Sequence, residues 1–529
     1  MGLATLCCYA VAAGVTAHLG YFIHGERHEQ APATIALSLI APILIFWIQL
    51  VYLGESFVAS AFTTTAVSAS FAIALWMSMV IYRLFFHPLR HFPGPVGAKI
   101  SKFWHSYNSL PRLDGFRWLD RMYHEYGDFV RTGPNEIAIF DPAAVSIILG
   151  PGSRCIKGPF YDITKPLISV QTTRDKQVHA KRRRVWDKGF GMRALRTYQQ
   201  CILQTSNSLV RAMSAHANSI INANECAIAF GKSFGTVETG KGHFILQILA
   251  GSVKPFALLG PVPWLFGTLA RLPGSPFEKF VEWCANLVDE RRKVHEETEI
   301  SDVMSNLIED YNKSEDKAYA LNYLHGDSRL IVLAGTETTA GTLTHLFYFL
   351  ASQSSKQALL RAELSLLVKN TEDVDFKALQ DAPMLNGVIS ETLRLWPPVL
   401  SGLQYTTPPE GITIKKTYIP GNVTVYSPSY TVQRLESCFV NGNEFIPERW
   451  FSRPELISNK VGYAPFSLGQ QSCTGKQLAL LELRTIVALL VTKFNINFAP
   501  GDDGKEVVEN LTDHFAATPG KLKLIFTPV

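Results

Sequence analysis

Three stretches without a single Asp, Glu, Lys or Arg open the chain: residues 1–23, 32–53 and 57–82. A bilayer core about 30 Å thick is crossed by roughly 20 apolar residues rising about 1.5 Å each. All three stretches are long enough. The competing reading, a helix buried in a soluble core, accounts poorly for such length without charge. The second and third stretches make the stronger spans. The first reads as a span or an uncleaved signal anchor, because no basic residue precedes its apolar run. Residues 1–83 are therefore expected to form a membrane anchor of two or three transmembrane helices. Arg27 is the one Lys or Arg before Arg83, whereas Arg83, Arg90, Lys99 and Lys102 follow the third stretch. The positive-inside rule then puts the remainder in the cytosol. There the glycosylation patterns at Asn312, Asn422 and Asn510 stay bare.

After the anchor comes His87-Pro88-Leu89-Arg90-His91-Phe92-Pro93-Gly94-Pro95, a run whose prolines forbid helix, and residues 84–96 read as a stiff hinge. Residues 97–529 show helical periodicity over 276–311, 327–352, 355–369 and 476–494. Short β-like pieces, Thr413-Ile414 and Val423-Thr424-Val425-Tyr426, lie between turn residues. The expectation is one mainly α domain with small β-sheets. Of the 529 residues, 47% are apolar and 18% charged, which excludes a disordered chain. Eight scattered cysteines without Cys-x-x-Cys spacing exclude a disulfide scaffold or zinc ribbon and point to a reducing compartment. A net charge of +5, spread along the chain, argues against a nucleic-acid partner.

Three separated motifs carry chemistry. In Phe466-Ser467-Leu468-Gly469-Gln470-Gln471-Ser472-Cys473-Thr474-Gly475-Lys476, two glycines flank one cysteine and a helical pattern follows. Glycines permit positive φ and close backbone approach to a flat ligand. A cysteine just before a helix N-terminus is expected to favour thiolate. Glu391 and Arg394 share a helix face and can pair, and Pro447-Glu448-Arg449-Trp450 precedes the cysteine loop. Ala334-Gly335-Thr336-Glu337-Thr338-Thr339 interrupts an apolar helix. A mid-helix glycine costs about 1 kcal/mol there, and a Thr hydroxyl can bond its i−4 carbonyl and bend the helix.

These motifs together resemble those of cytochromes P-450. Phe466, Gly469, Cys473 and Gly475 match the cysteine-loop signature. Glu391, Arg394 and Arg449 match the buried triad that positions that loop, and Glu337 and Thr338 the acid–alcohol pair of oxygen activation. His179 and Arg183 stand where the family's basic helix meets a haem propionate. The resemblance covers roughly residues 88–527, and Tyr126–Glu136 and Pro408–Gly411 look like filamentous-fungal members. It implies a cytochrome P-450 fold binding heme b through Cys473. It also implies a monooxygenase of secondary-metabolite biosynthesis, oxidising a lipophilic small molecule at the endoplasmic reticulum with O2. Electrons would come from NADPH-cytochrome P-450 reductase, with cytochrome b5 a further candidate donor. The basic run Lys181–Arg184 reads either as a solvated face or as a docking surface for that donor.

The sequence departs from the pattern at Gln471 and Tyr405, where relatives carry arginines that oppose haem propionates, and 214–234 looks short. Two alternatives follow: a reductase-independent haem-thiolate isomerase or dehydratase, and a decayed relative with weakened haem binding. The intact pair Glu337 and Thr338 favours the monooxygenase.

Overall fold

The computed structural model describes residues 2–529 apart from Pro111, 223–243, 271–273, Ser275, 294–301, Thr371 and Asp373. The short-looking stretch 214–234 therefore lies largely outside the described residues. Each charge-free stretch becomes a helix long and apolar enough to cross a membrane, at Leu3–Phe22, His28–Tyr52 and Phe57–Phe86. First and third helices touch along their length. A Cβ at Gly14 would meet the Phe71 carbonyl oxygen at 2.5 Å, so only glycine lets the backbones approach this closely, as small residues do between membrane helices. His18 Nδ1 lies 2.8 Å from Ser78 Oγ one turn on. Contacts that advance together in both helices make them parallel.

The third helix runs three residues into the expected hinge, to Phe86. Beyond it the proline-rich segment is pinned to the domain. Arg131 donates from Nη1 to the Arg83 carbonyl (2.9 Å) and from its backbone N–H to the Pro93 carbonyl (2.7 Å). A second tie joins anchor and domain. Arg174 grips the Glu26 carboxylate through two bonds of 2.6 and 2.8 Å and also bonds Asp162 at 2.6 Å. His28 lies 3.0 Å from Asp162, and Lys165 bridges Asp162 and Glu29. Two membrane-length helices separate this first loop from the domain and return the chain to the same end of the anchor.

Within the domain, Lys317–Ser352 forms one 36-residue helix capped by Asp316, whose side chain accepts from the Tyr319 N–H. The apolar periodicity finds it only from residue 327 on, because residues 317–326 mix polar side chains among their apolar ones. Asp327 is fully buried, ion-paired with Arg182 and accepting from the Val170 N–H at 2.8 Å. The helix packs with Ser354–Leu367, Pro383–Leu395 and Lys476–Lys493 around a core that includes Leu343, Leu346, Val388, Leu393, Ile486 and Val487. Burial of each such side chain contributes roughly 1.5–3 kcal/mol. The expected helix over 276–311 is present as Pro276–Lys293 and Val303–Lys313. A five-stranded sheet runs in the order Phe129–Gly133, Glu136–Ile139, Thr424–Tyr426, Tyr405–Thr406, Ile156–Lys157. Its central pair, Glu136–Ile139 with Thr424–Tyr426, is parallel.

Candidate active site

The cysteine loop is a folded hook. The Cys473 N–H donates to the Phe466 carbonyl at 2.8 Å, and Gly469–Gln471 makes a 3-10 turn between them. Gly469 has φ +61°, and a Cβ there would lie 2.8 Å from the Leu149 carbonyl oxygen. Glycine is required at that point. Gly475, at φ −81°, caps the helix Lys476–Lys493 and leaves the space beside the sulfur clear. Cys473 is accessible, yet protein surrounds most of its thiol, so the sulfur faces an opening within the molecule.

The expected lowering of the thiol's pKa is not found. Burial pushes the Cys473 thiol up, and the N–H groups of Gly475 and Lys476 with the charges of Arg183 and Lys476 offset this only in part. Desolvation of the anion outweighs the helix end at this depth. A bound metal removes that proton itself.

The long helix has a gap in its burial. Gly326–Leu330 and Thr339–Phe347 are buried, but Ala334 and Gly335 between them are exposed, and a Cβ on Gly335 would meet nothing within 4 Å. Thr336 and Thr338 donate to the carbonyls of Val332 and Ala334 at 2.8 and 2.6 Å, the expected i−4 bonds. The helix stays continuous through them. Burial raises the Glu337 carboxyl to about 7.

Helix Lys176–Gly189 braces the loop. Arg183 donates from Nη1 to the carbonyls of Ser472 (2.6 Å) and Gln470 (3.2 Å), while its Nε holds Asp187. His179 is buried, and burial with the charges of Lys157 and Arg183 pushes it down to about 4, so it is neutral at physiological pH. The triad is assembled and fully buried. Glu391 accepts from Arg394 at 2.8 and 2.9 Å, from Arg449 Nε at 2.9 Å, from Trp450 Nε1 at 2.9 Å and from the Ile446 N–H at 3.0 Å. The arginines in turn hold the carbonyls of Gln433, Gly442, Glu444, Val440 and Leu456. The triad thus clamps the segment before the cysteine loop and reaches it through Trp450, whose ring lies 4.5 Å from that of Tyr463.

An accessible sulfur, an open helix stretch and a guanidinium on the loop suit a flat, dianionic, thiolate-ligated porphyrin. The family model for cytochrome P450 matches residues 175–526. The chain belongs to the cytochrome P-450 family. Similar curated proteins include a tryprostatin B 6-hydroxylase of Aspergillus fumigatus, 35% identical over 98% of this chain and 96% of that protein. The cytochrome P-450 monooxygenase notG' of Aspergillus versicolor is 35% identical over 97% and 96%. The cytochrome P-450 monooxygenase lcsK of Purpureocillium lilacinum is 34% identical over 98% and 97%. The crystal structure of the cytochrome P-450DA heme domain shares the fold, with a TM-score of 0.66 at 17% identity over 80% of this chain and 95% of that one. The chain is thus a cytochrome P-450 of the fungal secondary-metabolism type, an oxidoreductase of the monooxygenase class.

Sequence reasoning missed Glu482, on the helix after Cys473. Its signal was a lone acid in the apolar run Leu478–Leu483. Burial pushes its carboxyl up to about 7 against a hydrogen bond with Thr339 of the long helix. A folded value above the unfolded one, about 4.3, gives stability that is full below that pH and lost as pH rises through 7. Glu482→Gln should therefore stabilise the domain by about 3–4 kcal/mol at about pH 8 and match wild type near pH 4. Thermal unfolding in detergent at both pH values measures this, and an equal difference at both would contradict it.

Proposed function

We propose that this cytochrome P-450 is a membrane-anchored haem-thiolate monooxygenase that hydroxylates a lipophilic small molecule, taking electrons from NADPH through a reductase. The accessible Cys473, set in a hook whose carbonyls Arg183 holds, carries this reading. Haem bound through that sulfur supplies dioxygen activation and oxygen insertion into a C–H bond. The chain's own residues do the rest. Phe466, Gly469 and Gly475 shape the hook, His179 and Arg183 stand at its edge, and Glu391, Arg394 and Arg449 hold the preceding segment in place.

Glu337, with a pKa of about 7, is divided between its acid and carboxylate forms near neutral pH and can both take up and release a proton. Thr338 spends its own proton on the Ala334 carbonyl, leaving its oxygen free to accept one. The pair would deliver protons to the open stretch beside Gly335. Tryprostatin B, the substrate in one relative's name, is the first probe to try.

The ties from Glu26, His28 and Glu29 to Asp162, Lys165 and Arg174 support three spans, with the first loop and the domain together on the cytosolic side of the endoplasmic reticulum.

Thr338→Val tests the proton route. It should keep the haem content of wild type, while most of the reductase-fed NADPH consumed yields hydrogen peroxide instead of product. Unchanged coupling of NADPH to product would contradict the role given to Thr338. Product formation without reductase or NADPH would favour the isomerase class.

A further inference from the structure

Lys157 is a lysine buried without a counter-charge, and burial beside Arg183 lowers its ammonium to about 7. It is 5% exposed, on the two-residue strand Ile156–Lys157 at the edge of the five-stranded sheet. Its ammonium donates to the Val170 carbonyl at 3.0 Å and lies 5.6 Å from the centre of the Tyr161 ring. Among the described residues no carboxylate pairs with it. An unpaired buried charge costs several kcal/mol, so an unpartnered lysine here asks for an anion. Its charged neighbours deepen the demand: Arg183 acts on Lys157, and both act on His179. The acid on Arg183, Asp187, is half-exposed and occupied with the Arg183 Nε.

The strand register says which anion. Ile156–Lys157 pairs antiparallel with Tyr405–Thr406, and Lys157 stands directly opposite Tyr405. Tyr405 is where the family pattern leads one to expect an arginine facing a haem carboxylate. Arg183, whose charge acts on Lys157, holds the cysteine loop. The cation absent from Tyr405 is present across the strand pair.

We propose that Lys157 is a cofactor-binding residue, the charged partner of a haem propionate in place of an arginine at position 405. The proposal rests on the haem reading above. It explains how the chain dispenses with charge at Tyr405: the same carboxylate is reached from the neighbouring strand, and the ammonium is neutralised once haem is bound.

The test compares holoprotein of wild type, Lys157→Met, Lys157→Arg and the double variant Lys157→Met/Tyr405→Arg. Haem-to-protein ratio and the rate of haem transfer to excess apomyoglobin are the readouts. Lys157→Met should release haem about tenfold faster, the scale of one charge-assisted hydrogen bond. Its apoprotein should melt no lower than wild type, because a buried amine without a carboxylate partner has gone. Lys157→Arg should retain haem, and Tyr405→Arg should restore retention to the Met variant. Lys157→Met holding haem as firmly as wild type overturns the assignment, and a double variant no better than Lys157→Met overturns the exchange across the strands. A wild type that binds no haem overturns the haem reading and the Lys157 assignment together, whereas the first outcome removes Lys157 alone.

Discussion

Replacing Glu391 with alanine is expected to lower the folding free energy of the domain by about 3–5 kcal/mol, the cost of leaving buried charges unpaired. Two guanidinium groups, both with no solvent exposure, lose the carboxylate that accepts from each. The Trp450 indole N–H and the Ile446 N–H lose their acceptor in the same step. Domains are stable by only about 5–15 kcal/mol, so the loss is a large share of the total. Arg449→Lys should cost less, since the charge stays but the second donor branch, which spans the carbonyls of Val440 and Leu456, is gone. Thermal unfolding in detergent ranks the variants. An alanine variant that melts with wild type would mean that the network contributes nothing to folding.

The site was legible where the chemistry is local. Cys473 sits between two glycines and before a helix, and Glu391 and Arg394 lie one turn apart, so short spacing carried both. The anchor was equally plain, because composition alone limits what a long charge-free helix can do. What the sequence hid depends on partners far along the chain. Nothing near Trp450 says that its indole completes the acceptor set of Glu391, and nothing near Glu26 says that Arg174 will hold it. The pairing of Lys157 with Tyr405 exists only once the sheet is assembled. The long helix was read short because residues 317–326 mix polar with apolar side chains, and the buried charge of Asp327 is tolerated by Arg182, which arrives from another helix.

The expectation that the helix end alone lowers the Cys473 thiol is corrected for a different reason. Helix position is visible in sequence, whereas burial is not, and at Cys473 burial is the larger effect. On the proposed reading, binding to haem iron would favour loss of that proton.

Cys473→Ser should have the largest effect on function of any single change. Serine preserves size and the backbone bond to the Phe466 carbonyl but offers a hard, protonated oxygen in place of a soft sulfur donor. The fold should survive, because the hook is held by Gly469, Arg183 and the Glu391 network and not by the sulfur. Monooxygenase turnover should fall to background.

The most direct measurement is the carbon monoxide difference spectrum of the reduced protein, wild type beside Cys473→Ser. The account predicts the band of a thiolate-ligated haem in wild type and its complete loss in the variant. The same band in Cys473→Ser, or a wild type that shows none after expression with supplied haem, would contradict it.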